Sequence, residues 1–384
     1  MRSLLNFACS LTLLMTGATL RGADTTVLLA GAAAVDISPQ TLPAFQNGGF
    51  LQAKSDRVVD PLHARSLVIS DGSETIAMVI VDSCMLPTFL CDKAKHLASQ
   101  ETGIPIDRIL ISATHTHMAP SSMLCLGCPA DDPYVQYVPA RIAKSIVEAH
   151  QNLQPAKIGW TVVDGSELTN CRRWITRSDK MGVDPFGQKT VRAMMHPGYQ
   201  NPSYTSPAGP IDPWLSVLSV VSDKDATPIC VMANLSMHYF GGGGFSADYF
   251  GEVARLLKER MQKDNAENVF GFVGIMSQGT SGDLHWMDYS QPRQAINRQQ
   301  YSQRVADHVL DAVAKVEHRS DHSLAMSEKR LTIDLRKPSK DRRQWARPIN
   351  AARGELLPRT RVEVYAQQAE WIHEHPSAEV VLQA

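Results

Sequence analysis

Two histidines, His115 and His117, stand at the end of the short apolar run Ile109-Leu-Ile-Ser-Ala113. Side chains of a strand alternate with a period of two. If extended geometry persists through Thr116, both imidazoles leave one face, close enough to meet one metal ion or one substrate. Imidazole is a common zinc ligand, and three histidines, or two and a carboxylate, leave a coordination position open for water. An ion so held lowers the pKa of its water to roughly 7 and polarises a carbonyl, so hydrolysis follows naturally. The bland alternative is a pair of rings that merely hydrogen-bonds at a strand end. His238 follows the run Ile229 to Leu235, and the loop Gly279-Thr-Ser-Gly-Asp283 follows Val269 to Ile275. Both therefore occupy the same architectural position as the pair, and strand ends are where layered α/β structures bind ligands.

Other chemistries fail specific tests. Gly279-Thr-Ser-Gly282 is not a nucleophile elbow, because Ser281 is followed at once by Gly282. His373-Glu-His375 lacks the spacing of H-E-x-x-H. Gly241 to Gly244 has neither the Lys-Ser/Thr of a P-loop nor the dinucleotide fingerprint, and reads as a flexible loop beside a site. Cys125-Leu-Gly-Cys128 has no second CxxC, which favours structural cysteines or one local bridge over a redox or zinc-knuckle role.

The elements that must position these residues alternate between strand and helix. Leu67 to Ser70 and Thr75 to Val81, joined by Asp71-Gly72, read as a hairpin whose second strand ends at Asp82. Helices are expected over Asp92 to Thr102, Ala140 to His150, Phe250 to Met261 and Tyr301 to Glu317. Further strands are expected at Ser216 to Val221 and Ile229 to Leu235. Trp174 to Pro213, rich in Gly, Pro, Asn and Ser, reads as a long loop, either a binding loop or a surface excursion. Toward the end come a basic, Pro-interrupted stretch (Arg336 to Arg347), a helix over Arg361 to His373 and the beginning of a strand at Glu379 to Leu382. The fold class is α/β in the mixed α+β sense, layered β-sheets flanked by helices, with no internal repeat visible.

Composition narrows the partners. A formal net charge of -1 gives no basic excess, so a broad nucleic-acid surface has no support. Arg2 is followed by an uncharged, largely apolar stretch to Leu20 and then small residues, the pattern of a secretory signal peptide over residues 1–23. The expectation is a secreted or periplasmic protein. Beyond that stretch no segment approaches ~18 consecutive apolar residues. Six cysteines follow the signal segment, an even number that permits disulfides without fixing a pairing.

An ordered set of motifs resembles the neutral/alkaline non-lysosomal ceramidase family, particularly its shorter bacterial relatives. The set runs Asp36-Ile-Ser-Pro39, Asp60-Pro-Leu-His-Ala-Arg65, Ala113-Thr-His-Thr-His117, Cys171-Arg-Arg-Trp174, Asn234-Leu-Ser-Met-His238, Ser246-Ala-Asp-Tyr-Phe-Gly251 and Gly279-Thr-Ser-Gly-Asp283. The resemblance implies a zinc-dependent amidohydrolase acting on an N-acyl sphingolipid or related N-acyl lipid, with peripheral contact with membrane lipid. It implies His115 and His238 as zinc ligands, His117 beside the metal, and Arg172 near the scissile carbonyl, where its charge would stabilise the developing oxyanion. Asp283, counted with the catalytic group, and Asp82 and Asp248 would organise the surroundings rather than ligate. Two departures stand out. Where the family carries Val-Ser-Pro-Asn after Gly-Asp, this chain has Leu284-His285, so a histidine replaces the serine that addresses substrate. The family's remaining ligands, a glutamate and a tyrosine, would fall beyond residue 384, so residues 24–384 read as one catalytic domain incomplete at its C-terminus, with water or Glu374 left to complete the shell. A non-catalytic binding domain of the same fold, or an amidase or esterase on a polar substrate, are the alternatives; oligomeric state is not assigned.

Overall fold

The structure, a computed structural model, describes residues 27–264 and 271–384. The signal-like segment lies outside the described residues. Two successive units have the same order of elements. The first is β1 (Leu29–Asp36), β2 (His63–Ser70), β3 (Thr75–Val81), α1 (Thr88–Thr102), β4 (Ile109–Ala113) and α2 (Asp132–Gln151). The second is β5 (Gln154–Asp164), β6 (Trp214–Ser222), β7 (Pro228–Leu235), α3 (Asp248–Asp264), β8 (Val273–Gln278) and α4 (Arg298–Val313). Each unit is thus three strands, a helix, a fourth strand and a second helix, a duplication of architecture that the sequence does not reveal.

The eight strands form one hydrogen-bonded sheet in the order β8-β7-β6-β5-β1-β2-β3-β4. Only β3/β4 and β7/β8 are parallel, as their helical crossovers require. The units join through a short ladder, Leu29 opposite Pro155 and Ala30 opposite Gln154. The sheet folds back there, so that β8 also lies against β3 and β4. Three apolar clusters follow from this. Leu90, Ala94, Val138, Ile142 and Ile146 of α1 and α2 pack on Val68 and Val79. Val253, Leu257, Val305 and Val309 of α3 and α4 pack on Val217, Val231 and Ala233. Between the sheet halves, Leu67, Ile69 and Ile80 meet Ile158, Val220, Ile229 and Ile275. Helix, sheet, sheet and helix make four layers. Strands buried on both faces explain why β3 and β7 read as continuous apolar runs.

Several boundaries differ from expectation. α2 begins eight residues before Ala140, because the Asp131 carboxylate caps it by accepting the Tyr134 N–H at 3.2 Å, and Pro139 sits inside the helix. The stretch from Trp174 to Pro213 is not all loop: Arg173–Thr176 pairs with Ala193–Met195 on one side and Tyr204–Pro207 on the other. The basic stretch is the first part of α5 (Lys340–Arg353), capped by the Ser339 hydroxyl and packed on α6 (Arg361–Glu374). β9 (Glu328–Asp334), unforeseen, pairs over seven residues with β10 (Ser377–Gln383). The six cysteines among the described residues are free thiols, although Cys125 and Cys128 exchange both backbone hydrogen bonds at 3.0 Å. No helix among the described residues is long and apolar enough to cross a membrane.

Candidate metal centre

The segment after β4 keeps its place by pairing with the segment after β3: the Thr114 N–H donates to the Val81 carbonyl and the His115 N–H to that of Ser83, at 2.9 and 2.8 Å. Extended geometry does not persist as the spacing argument supposed. His115 has φ 65°, in the left-handed region that a side chain such as histidine rarely adopts. The two imidazoles still converge, with His115 Nε2 and His117 Nε2 3.2 Å apart. Thr114 and Thr116, both fully buried, anchor the turn; Thr116 Oγ1 donates to the Ser246 carbonyl at 3.0 Å.

His238 joins the pair from the end of β7. The three ring centroids are separated by 4.8, 4.6 and 5.1 Å, a nearly equilateral triangle. Partners fix the tautomers. His115 Nδ1 lies 2.6 Å from the Cys84 carbonyl and His238 Nδ1 lies 3.1 Å from that of Ser281, and a carbonyl only accepts. Both rings therefore hold their proton on Nδ1 and turn an Nε2 lone pair inward. Burial is the main force keeping these imidazoles neutral. It lowers the pKa of His115, takes that of His117 to about 3 with help from His115 and Arg172, and takes that of His238 to about 2 with help from Arg172. Tyr239 stacks on His117 at 3.9 Å and 18°, fixing the ring plane. Gly48 on the opposite loop leaves no space for a side chain, since a Cβ there would come within 2.6 Å of the same ring.

Given the His115 tautomer, His117 Nε2–H donates to His115 Nε2 at 3.2 Å, and a cation shared by these two nitrogens would take the place of that proton. Cys84, His115 and His117 form a group that could hold a metal ion, their donor atoms lying within 4.8 Å of one another. Burial pushes the Cys84 thiol up to about 12, which makes the imidazoles the ready donors and Cys84 a ligand only at the cost of its proton. Cys84 was invisible to spacing arguments, because it lies on a different strand end. Glu374 is exposed at the end of α6 and is no member of this group.

Arg172 reaches the centre from the strand pair Asn170–Cys171 and Leu284–His285. Its Nη2 donates to His238 Nε2 at 3.2 Å and to the Gly282 carbonyl at 2.7 Å, and its Nη1 to His196 Nε2 at 3.3 Å. The Arg172 backbone N–H donates to the Asp283 carbonyl at 2.8 Å, so Asp283 supports the arginine through its main chain. Asp248 is buried and accepts N–H groups of Phe240, Gly241 and Tyr249, which ties down the chain just after Tyr239. Burial raises its pKa to about 6. Asp82 is committed to Arg65 at 2.6 Å and to the His63 N–H at 2.8 Å. His196, Tyr239, His285 and Tyr289 surround the arginine without having been singled out by motif, except His285 at the family's serine position.

No family model matches the sequence. The fold does match solved structures. Neutral ceramidase from Pseudomonas aeruginosa superposes with a TM-score of 0.57 over 81% of this chain at 15% identity. A ceramidase complexed with C2 gives 0.58 over 80%, also at 15%. The chain spans about half the length of these structures, 48% and 47%. The likeness establishes a ceramidase-type fold of layered sheets flanked by helices.

Proposed function

We propose, from a ceramidase-type fold that gathers three neutral imidazoles beside a buried guanidinium, that this chain is an exported zinc-dependent hydrolase that cleaves the amide bond of an N-acyl lipid. The observation that carries the reading is the triangle His115, His117, His238, whose rings lie within 5.1 Å of one another and resist protonation. His115 and His238 would hold the ion and His117 would stand beside it. A zinc ion supplies Lewis acidity toward a carbonyl and toward water at neutral pH.

The chain's own residues supply the rest. His238 Nε2 accepts the Arg172 Nη2–H at 3.2 Å, so His238 could hold an ion only if Arg172 turned that N–H elsewhere. Held by the Gly282 carbonyl, the guanidinium would then offer an N–H to an acyl oxygen, where negative charge develops during attack. His117, held in plane by Tyr239 with its Nε2 3.2 Å from His115 Nε2, would stand beside the ion and address the substrate. Asp283 holds Arg172 in register.

The test is metal content and hydrolysis of N-acyl lipids measured on the purified chain, on His115→Ala and on His238→Ala. Bound zinc and turnover should both fall by at least about a hundredfold in each variant, the scale of losing a principal ligand or acid–base group. Unchanged zinc stoichiometry in both variants would remove the site. Water-soluble amides in the same assay separate a lipid amidase from one acting on polar substrates.

A further inference from the structure

Three basic side chains among the described residues are buried to below a tenth exposed: Arg65, Lys95 and Arg172. Two have carboxylates: Asp82 lies 2.6 Å from Arg65 and Glu328 lies 2.7 Å from Lys95. Arg172, 6% exposed, has none within ion-pair distance among the described residues. Its donors go to two neutral imidazoles and the Gly282 carbonyl. The Asp283 carboxylate acts on it only from beyond ion-pair distance, and a buried charge without a direct partner is disfavoured unless something in the working state supplies one.

A second buried group is incomplete at the same place. His285 is 2% exposed, and its Nδ1 has no hydrogen-bond partner. Its ring lies edge-on to His196 at 5.1 Å, and His196 is itself an acceptor of the Arg172 Nη1–H. Because His196 Nε2 accepts from Arg172, its proton lies on Nδ1, which donates to the Tyr289 hydroxyl at 2.5 Å. A buried orphan nitrogen beside a guanidinium with no directly paired carboxylate is an arrangement that an oxyanion would satisfy at both points.

We propose that Arg172, His196 and His285 together seat a carboxylate, and that the amide cleaved here is that of an N-acyl amino acid. The proposal rests on the amide-hydrolase reading above and narrows its substrate class. The guanidinium is a planar fork. One arm, Nη2, faces His238 and the metal centre; the other, Nη1, faces His196. A ligand that engages both arms must carry its acid close to its scissile carbonyl, as an amino acid acylated on nitrogen does. A monoanion matches the single positive charge of these three residues, whereas a phosphate dianion would leave a buried net negative charge. His285 then recognises the acid.

Calorimetric titration of the full chain, zinc-loaded and zinc-free, with N-lauroylglycine, its neutral analogue N-lauroylglycinamide, and laurate tests this. The acid should bind the zinc-loaded chain at least about tenfold more tightly than the neutral analogue, a difference of ~1.4 kcal/mol. That preference should shrink to under about threefold in His285→Phe and in Arg172→Met, while the neutral analogue keeps its affinity for His285→Phe and both variants keep the circular dichroism spectrum of the unaltered chain, which shows that they are folded. Equal binding of acid and neutral analogue by the unaltered chain overturns the proposal, as does a preference that survives both substitutions. Laurate binding as tightly as N-lauroylglycine, with the same dependence on His285, overturns it in favour of a site for the acyl product. Preference for the acid without hydrolysis of either amide leaves the carboxylate site standing and removes the hydrolase; hydrolysis of both with equal affinity does the reverse.

Discussion

At the scale of single residues, the centre is defined by groups kept neutral at a cost. Burial, aided by His196, Arg172 and His117, takes the pKa of His285 to about 3, while an unfolded chain returns it to ~6.5. Below pH ~6.5 the unfolded form binds a proton that the native form refuses, so the stability contributed by keeping His285 neutral is present above that value and lost as pH falls toward 3. Each pH unit inside that window removes up to ~1.4 kcal/mol per such group. The thermal midpoint of the metal-free chain should therefore drop steadily between pH 6.5 and 4, and His285→Phe should flatten the slope by up to about one proton. An unchanged slope would mean that His285 is not the buried neutral group described here. His115 and His238 were legible in the sequence because both follow apolar runs. His196 was not, since its loop carries no periodic signal, and its left-handed φ of 56° is a matter of backbone context. The convergence of His115 with His117 was anticipated for the wrong reason: a left-handed turn at His115, not continued strand alternation, brings the rings together.

At the scale of elements, the loop from His238 to α3 shows why a motif can be recognisable without touching a substrate. Asp60 accepts the Ala247 N–H at 2.7 Å and the Ser246 hydroxyl, and pairs with Arg298 of α4 at 3.0 Å. Asp248 then holds the N–H groups of Phe240 and Gly241 at 3.1 and 3.0 Å. The motif residues Asp60 and Ser246 to Asp248 thus clamp one unit to the other and fix the loop that carries Tyr239 against His117. Asp248→Ala would leave buried amides without an acceptor, a loss of about 1–3 kcal/mol. It should also weaken binding of the proposed ion, because Tyr239 would no longer hold the His117 ring; Asp248→Asn, which keeps an acceptor, should recover part of both. Denaturant unfolding and metal content measured side by side check the pair. Normal binding of the proposed ion in a destabilised Asp248→Ala would confine the residue to folding. Strands and helices with strong periodicity were legible here, whereas β9 and α5 were not. β9 opens with three consecutive charged residues, Glu328-Lys329-Arg330, on a half-exposed hairpin, and Pro348 within α5 argues against a helix locally, so tertiary packing decides both.

At the scale of the whole molecule, the C-terminal hairpin is fastened to the unit that delivers the histidine pair. Lys95 of α1 and Glu328 of β9 form an ion pair at 2.7 Å with both side chains below a tenth exposed. Arg330 bridges Asp92 and Glu379, and Gln383 Nε2 donates to the Ile109 carbonyl at the start of β4. The exposed Arg330 contacts are individually weak, since solvent screens them. The buried pair is different: desolvation has been accepted on both charges, and Lys95 and Arg330 hold the Glu328 carboxyl below its ordinary range against that burial. Removing one partner strands the other. Glu328→Gln should cost about 3–5 kcal/mol in urea unfolding, and Lys95→Met a similar amount, whereas the double variant Lys95→Met/Glu328→Leu should recover most of the loss because it restores a neutral, filled contact. The hairpin lies against α1 and β4, and β4 leads directly into Thr114 and His115. The single variants should for that reason also lower retention of the proposed ion at temperatures below global unfolding, and the double variant should restore it. A double variant no more stable than either single one would show that charge, rather than burial, is what docks the hairpin.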